Sequence, residues 1–289
     1  MNIVKRVNKF TVAIPAFNED NRIERVLRNY INFTDDIIVI DKYSTDRTAE
    51  ICRQYGVTIL NYPSGIDEKE QTILINEIAK YDWIFYTTCS EIAPSILLQT
   101  FCDVVESSVT NDIRAAVFNR VSYTNGFETH NQKDYYRDFS KGIYTRFINK
   151  NYYYPEISRI HFEIPVNASA KQIFIIDSKI SQIHIRNDDL TNIELKHIRY
   201  ADIDAKSQFD SGRKASFLNL FLRPIYHFIF MYKSNFKNGF TGFLVSSCHA
   251  QYIYQVELRL LCLKFGYDKD SVANNNELII NKYLENYEI

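Results

Sequence analysis

The chain has 289 residues, enough for one large domain or one domain with an appendage, and its 46% hydrophobic and 24% charged residues exclude an intrinsically disordered protein. A formal net charge of −1 argues against a nucleic-acid-binding face spread over the whole chain. Five scattered cysteines without a CxxC pair, and an amino terminus (MNIVKRVNKF) without the apolar segment of a signal peptide, predict a cytoplasmic, reducing location and no zinc site.

Strands and helices alternate through the first part of the chain. Apolar runs predict four strands, over residues 10–16, 37–40, 57–62 and 83–86. Apolar residues at three- and four-residue spacing predict the helices that follow them, over 22–30, 48–55, 68–80 and 96–105. This alternation predicts a parallel sheet with crossover helices. Further along, 113–122 and 143–148 are predicted as strands and 190–204 as a helix.

The segment IIVIDKYSTDRT, residues 37–48, organises this half of the chain. Four β-branched residues lead directly into Asp41, which is typical of a strand buried on both faces of a parallel sheet. A carboxylate at that end lies where open α/β sheets bind ligands. Ser44, Thr45 or Asp46 can cap the next helix. From these residues alone, a ligand-binding turn and a plain helix cap beside a stray aspartate both remain open.

Three segments together resemble landmarks of the family 2 inverting glycosyltransferases with the GT-A fold: VAIPAFNED, IIVIDKYSTDRTAEICRQYG and YDWIFYTTCSEIAP. In that family the first strand ends in Pro-x-(Tyr/Phe)-Asn-Glu, and the second ends in Asp followed by Ser-Thr-Asp-x-Thr; both patterns are present here. The resemblance implies an α/β GT-A fold and a nucleotide-sugar donor, by preference UDP-linked. It also implies these nucleotide-binding residues: Pro15, Ala16, Phe17, Glu19, Asp41, Ser44, Thr88 and Ser90.

The third landmark departs from the family. Where the family carries Asp-x-Asp-Glu, this chain has Thr88-Cys89-Ser90-Glu91. The missing carboxylates usually hold Mg²⁺ or Mn²⁺ against the diphosphate, and Glu91 alone is a single carboxylate ligand for a metal. Three explanations remain open: a metal-independent enzyme whose Arg, Lys or His side chains meet the diphosphate, weak Mg²⁺ or Mn²⁺ binding through Glu91 and the substrate, or loss of catalysis.

The segment RIHFEIPV, residues 159–166, resembles a (Val/Leu)-His-Glu segment of lipopolysaccharide-core members, with one extra residue between His and Glu. An inverting transfer needs a base for the acceptor hydroxyl, and we predict Glu163 for that role, with His161 second. In a strand both would point to one face. A surface glutamate in an ion pair is the alternative.

Other cationic side chains of this half could meet the diphosphate. His184 and Arg186 belong to a segment like the family's late Ile-x-His element, and Arg213 is a third predicted diphosphate ligand, although a core role for His184 is equally open. Three arginines among tyrosines are either solvated or part of an acceptor and diphosphate surface: Arg137, Arg146 and Arg159.

The segment from about 215 to 266 resembles the tail of membrane-associated family 2 transferases. Its apolar run is interrupted by Arg223, Pro224 and His227, and so falls short of the ~20 apolar residues that a spanning helix needs. Basic flanks beside aromatic helices predict that it lies in the interface of the inner membrane. An oligomer interface and a buried helical pair are the alternatives.

The sequence thus predicts a GT-A domain over 1–210, with a nucleotide-binding half (1–107) and an acceptor half (108–210), and a helical region over 211–289. The predicted function is inverting transfer of a sugar to a lipid-linked or lipopolysaccharide- or capsule-type glycan, with homo-oligomerisation left open. The alternative is a non-catalytic GT-A protein that scaffolds envelope glycan assembly, which Thr88-Cys89-Ser90 favours. A nucleotidyltransferase would usually need a Gly-rich phosphate loop, which is absent.

Overall fold

The computed structural model describes residues 10–63, 68–124, 126–132, 143–154, 164–186 and 190–285. Its strands are β1 (Phe10–Ala16), β2 (Ile37–Asp41), β3 (Thr58–Asn61), β4 (Trp83–Tyr86), β5 (Glu91–Ile92), β6 (Ala115–Val117), β7 (Asn119–Thr124), β8 (Phe127–Gln132), β9 (Ile143–Thr145), β10 (Phe147–Asn149), β11 (Ile164–Val166), β12 (Ile173–Ile175) and β13 (Ser181–Arg186). Its α-helices are α1 (Ile23–Tyr30), α2 (Thr48–Gln54), α3 (Glu68–Ile78), α4 (Ser95–Asn111), α5 (Leu190–Asp210), α6 (Phe217–Asn235), α7 (Gly239–Phe265) and α8 (Lys269–Glu285).

The described residues up to β12 contain a central seven-stranded sheet, in the order β12-β6-β10-β4-β1-β2-β3. β4, β1, β2 and β3 run parallel to one another, whereas β10 runs antiparallel to β4 and β6. The predicted α/β architecture, a mostly parallel sheet with crossover helices and a helical carboxyl-terminal region, is confirmed. The register pairs Ala16 with Asp41, so β1 and β2 end side by side at the same edge of the sheet.

Both faces of this sheet are buried, because period-two alternation sends successive apolar side chains to opposite sides. One face packs aromatic rings, with Phe101 of α4 stacked on Phe147 of β10 at a centroid distance of 4.1 Å. The other face packs isoleucines of β2 and β4 against Ile75 of α3. The core therefore holds β1, β2 and β4 in place and fixes where their polar ends emerge.

Two predicted strands are each divided in the structure. Residues 113–122 form β6 and β7, which belong to different sheets, and residues 143–148 form β9 and the start of β10. β9 pairs with β11, whereas β10 pairs with β4 and β6. The break at Arg146 arises because consecutive segments pair with different partners, a long-range choice that local apolar pattern does not encode.

A second sheet places one side of the candidate site. It has the order β5-β13-β7-β8, and its antiparallel β5–β13 pairing sets His184 opposite Glu91. β5 follows β4 by a short turn, so the residues between them, Thr87–Ser90, connect the two sheets.

The described residues divide into two compact units. The first contains those up to Tyr123 and from His130 to Arg186, and the second contains Thr124–Thr129 and the helices α5 to α8. α5 thus lies with the carboxyl-terminal helices; the predicted division into 1–210 and 211–289 stays a prediction. Among the described residues, none of the helices combines the length and the apolar character needed to cross a bilayer.

The second unit is built on α7, against which α5 and α6 pack. Glu257 of α7 is buried and accepts hydrogen bonds from the guanidinium groups of Arg213 and Arg223. A buried carboxylate needs such partners, because an uncompensated charge in the interior is costly. The contacts of Arg213 give it a structural role in joining these helices, and its predicted role as a diphosphate ligand stays a prediction.

Gly242 of α7 allows close approach of the end of α6. A Cβ atom at this position would lie 1.9 Å from the carbonyl oxygen of Asn235. We expect Gly242→Ala to lower the free energy of unfolding by ~1–3 kcal/mol through overpacking, measured by denaturant titration followed by circular dichroism. Ser247→Ala on the same helix is the control. Since alanine is a better helix former than glycine by ~1 kcal/mol, a stabilised Gly242→Ala would contradict the close approach.

Candidate functional site

The turns that follow β1 and β2 are hydrogen-bonded to each other. The backbone N–H of Asn18 donates to Ser44 Oγ (2.9 Å), and the N–H of Thr45 donates back to Asn18 Oδ1 (2.8 Å). The N–H of Glu19 donates to Thr48 Oγ1 (2.7 Å). Asn18 has a positive φ of 53°, which asparagine tolerates better than most residues. The Asn-Glu and Ser-Thr-Asp-x-Thr patterns therefore build one interlocked edge.

Two predicted nucleotide-binding carboxylates lie at this edge with different partners. Asp41 ends β2, is 3% exposed, and accepts the backbone N–H of Ser44 at Oδ1 (3.0 Å). Glu19 is engaged by Arg22 through two parallel bonds of 2.6 and 2.7 Å. Such a forked pair fixes the carboxylate geometry. Glu19 is therefore engaged within its own turn, whereas Asp41 is the carboxylate at the strand end; their predicted roles in nucleotide binding stay predictions.

A cavity of about 510 Å³ opens at this edge of the sheet. It brings together six of the predicted nucleotide-binding residues, and it adds Lys42 and Cys89; the six are Pro15, Ala16, Phe17, Glu19, Thr88 and Ser90. Phe17 is 52% exposed, so its ring is available for stacking. A second cavity, of about 450 Å³, shares Pro15 and Thr88 with the first.

The second cavity contains residues that sequence reasoning missed. Gln71 and Thr72 of α3 line it as buried polar side chains, together with Ile40, Tyr86 and Arg146. On α3 these two residues are indistinguishable by pattern from a solvated helix face. Lys42 carried a signal that could have been used, because it directly follows the carboxylate at the end of β2.

Glu91 is buried, at 1% exposed, and both of its oxygens have protein partners. Oε1 accepts from Arg120 Nη1 at 2.8 Å and from Arg146 Nη1 at 2.6 Å. Oε2 accepts from the backbone N–H of Thr88 at 3.0 Å and, more weakly, from Gln182 Nε2 at 3.4 Å. Burial raises the pKa of Glu91, and the charges of Arg146, Arg120 and His184 outweigh it and lower that pKa to about 2. Glu91 is therefore ionised at neutral pH and joins two guanidinium groups.

The side chains of Thr88 and Ser90 do not fit a hard divalent cation. Thr88 Oγ1 and Ser90 Oγ lie 3.0 Å apart and hydrogen-bond to each other. Both are neutral, and Mg²⁺ prefers carboxylate and phosphate oxygens. Glu91 directs its oxygens at guanidinium and N–H donors. These contacts add no metal ligand to Glu91, so its predicted role as a metal ligand stays a prediction.

Of the remaining predicted residues, some lie near Glu91 and others lie outside the described residues. His184 lies on β13, directly opposite Glu91 of β5, and its Nδ1 is 3.2 Å from Ser122 Oγ. Arg186 ends β13, and its side chain lies outside the described residues. Glu163 and His161, the predicted base and its alternative, lie outside them too, as do Arg137 and Arg159. Arg120, which sequence analysis did not single out, is brought to the site by β7.

Sequence comparisons bear on this same region. Residues 11–86, which contain β1 to β4, match the family model described as Glycosyl transferase family 2. Uncharacterized glycosyltransferases of Rickettsia typhi and Rickettsia bellii are 22% and 25% identical, covering 93% and 91% of this chain and 92% and 89% of theirs. The 4,4'-diaponeurosporenoate glycosyltransferase of Staphylococcus aureus is 39% identical over 61 residues, 20% of this chain and 16% of that one.

Two solved structures are similar in part. S. aureus TarS 1–349 in complex with UDP aligns with a TM-score of 0.44 and 14% identity, covering 89% of this chain and 92% of that one. Glucosyl-3-phosphoglycerate synthase of Mycobacterium tuberculosis, in complex with Mn²⁺, UDP and glucosyl-3-phosphoglycerate, aligns with a TM-score of 0.32 and 21% identity, covering 39% of this chain and 44% of that one.

Proposed function

We propose that this chain, a glycosyltransferase by its family 2 match and its relatives, transfers a sugar from a UDP-sugar to a bacterial surface-glycan acceptor with inversion at the anomeric carbon. The observation that carries the proposal is the cavity of about 510 Å³ at the end of β1, next to the end of β2, because five of its eight lining residues belong to the matched segment.

The cavity offers each part of a nucleotide a suitable partner. Pro15 and Phe17 present apolar surface for the base, and Asp41 at the neighbouring strand end supplies a carboxylate for an N–H group of that base. Uracil carries such an N–H at N3 and guanine at N1, so the carboxylate suits either base, and the preference for UDP comes from the resemblance in sequence. Thr88, Ser90 and Lys42, which line the same cavity, provide donors for the ribose and phosphates.

The chemistry we propose is a single displacement. Glu163 takes the proton of the acceptor hydroxyl as that oxygen bonds to the anomeric carbon. The bond between the anomeric carbon and the β-phosphate oxygen breaks, and its electron pair leaves with UDP. Cationic side chains stabilise the charge that builds on the leaving diphosphate, which a divalent metal does in most of the family.

We further propose that the acceptor lies at the inner face of the cytoplasmic membrane, as lipopolysaccharide- and capsule-type precursors would. The support comes from an exposed surface of α6, here called the apolar face of α6, whose members are each more than half exposed: Phe217, Leu218, Phe221, Leu222, Ile225, Tyr226, Ile229 and Phe230. They recur at i, i+1, i+4 and i+5, so they form one continuous helix face. Isolated exposed apolar residues are normal, but a contiguous face of this size is typical of an interaction surface.

Charge favours a lipid partner for this face. From residue 211 to 256 the sequence contains five basic residues and no Asp or Glu. Three of the basic residues, Lys214, Lys233 and Lys237, are exposed at the two ends of α6. Pairing two copies through this surface would bring like charges together, whereas anionic headgroups would attract them, each contributing ~1 kcal/mol.

The experiment that tests the donor assignment is calorimetry of the full chain with UDP, GDP and CMP. We expect UDP to bind best, with one site per chain. Asp41→Asn should weaken UDP binding ~10- to 100-fold, the usual effect of losing a hydrogen bond to a charged group. Asp35→Asn, an exposed aspartate before the same strand, is the matched control. Binding of none of the three nucleotides would overturn the transferase and leave the scaffold alternative.

A further inference from the structure

A buried ionic cluster occupies the position where the family places its metal motif. Glu91 lies at its centre, and Arg120 and Arg146 both donate to the same carboxylate oxygen. We propose that the guanidinium of Arg146, held in place by Glu91 and backed by Arg120, supplies the positive charge that meets the donor diphosphate in place of a divalent metal. The inference rests on the proposed function, because it assigns the phosphate-binding part of the same site.

Arg146 is positioned for this role by its backbone and its surroundings. Its carbonyl oxygen accepts the N–H of Tyr86 at 2.7 Å, which ties residue 146 to the end of β4. Its side chain lines the cavity of about 450 Å³ beside Pro15 and Thr88, the two residues that this cavity shares with the predicted nucleotide cavity. Arg146 therefore lines a cavity that adjoins the predicted nucleotide cavity at Pro15 and Thr88, and a diphosphate attached to a bound nucleoside would extend into it.

The charge balance of the cluster favours an anion. Among the described residues, the cluster contains two guanidinium groups and one carboxylate, and Lys42 lines the adjoining cavity. In the usual family motif three carboxylates require a divalent cation before a diphosphate can approach. Here Thr88 and Ser90 are neutral, so the cluster attracts phosphate without one. Burial strengthens this attraction, because the surrounding dielectric is lower than that of water.

The geometry of a guanidinium suits the diphosphate as well as its charge. Five N–H donors lie in one plane in a forked arrangement that matches phosphate oxygens, and the bond to Glu91 fixes the orientation of that plane. Glu91 is then a positioning residue, since it contacts Arg146 and not the substrate. Arg120 donates to the same carboxylate oxygen and so brings a second guanidinium group next to Arg146.

The test compares UDP with uridine, which has the same base and ribose but no phosphate. Calorimetry of the full chain is run in EDTA and in Mn²⁺. For the wild-type protein we expect UDP affinity to be the same in both conditions. We expect Arg146→Gln to weaken UDP ~10- to 100-fold while uridine affinity is unchanged, and Arg146→Lys to recover part of the loss because it retains the charge.

A second variant keeps the test decisive if Arg146→Gln fails to fold. Thr88→Asp places a carboxylate in the same cavity without altering the ion pairs, and Thr88→Asn is its uncharged control. In EDTA we expect Thr88→Asp to weaken UDP at least tenfold more than Thr88→Asn does, to weaken uridine no more than Thr88→Asn does, and to regain UDP binding with Mn²⁺.

Three results would overturn the inference: tighter UDP binding by the wild type in Mn²⁺ than in EDTA, equal losses of UDP and uridine in Arg146→Gln, or unaltered UDP binding by Thr88→Asp. A wild-type protein that binds neither UDP nor uridine would instead refute the proposed function itself.

Discussion

Replacement of Glu163 by glutamine is expected to lower kcat by ~10²- to 10⁴-fold while UDP affinity stays unchanged, because a general base contributes about that factor to proton transfer. Gln is isosteric and cannot accept the acceptor proton. The rate is measured as UDP released from a panel of UDP-sugars in the presence of an extracted bacterial glycolipid fraction.

The control for this variant is Glu156→Gln, a glutamate seven positions earlier, which should retain wild-type activity. His161→Gln should retain most of the activity if Glu163 is the base. If His161→Gln instead loses kcat by the larger factor and Glu163→Gln does not, the base is the histidine. Equal activity of all three variants would mean that the segment RIHFEIPV does not supply the base at all.

Loss of two side chains from the apolar face of α6 should detach the protein from anionic vesicles. Phe221 and Ile225 are 62% and 57% exposed and lie one helical turn apart. Each contributes ~1.5–3 kcal/mol when buried, so Phe221→Gln with Ile225→Gln should lower the partition coefficient by ~10²- to 10⁴-fold. The measurement is co-sedimentation with vesicles of phosphatidylglycerol and phosphatidylethanolamine, compared with phosphatidylcholine vesicles, at increasing salt.

The matched control replaces two exposed apolar residues of α4, Ile96→Gln with Val109→Gln, and should leave vesicle binding unchanged. Sedimentation velocity without lipid tests a second explanation, in which this face joins two copies of the chain. If the wild-type protein is a dimer that the α6 double variant dissociates, and if vesicles bind neither protein, the face is an interface between copies. If the wild type binds phosphatidylcholine as tightly as anionic vesicles, the basic residues at the ends of α6 do not select the lipid.

The sequence predicted the elements whose signals are local. β1 and β4 have the bounds that their apolar runs predict, and β2 extends the predicted run by one residue, to Asp41. α4 continues to Asn111, beyond the predicted end at residue 105, because its last turns are polar and exposed and so carry no periodic apolar signal.

The candidate site was predictable only in part, because local patterns indicate residues that are close in sequence and not those that the fold brings together. The residues of the interlocked turns lie within short motifs, so their pattern alone indicated them. The partners of Glu91 lie 29 and 55 residues away in the chain, Arg120 on β7 of the second sheet and Arg146 at the break between β9 and β10. The resemblance implied that Thr88 and Ser90 stand where carboxylates are usual, but it did not indicate which cations the fold brings to Glu91.

The interlocked turns after β1 and β2 determine how much conformational entropy the protein loses when the donor binds. Asn18, Ser44 and Thr45 already satisfy one another's backbone and side-chain groups across a separation of about 26 residues. A ligand that meets this edge therefore freezes few rotamers and displaces no internal hydrogen bond. Preorganisation of this kind lowers the entropic penalty of association. Loosening it with Asn18→Ala would thus weaken every nucleoside equally, including those that carry no phosphate.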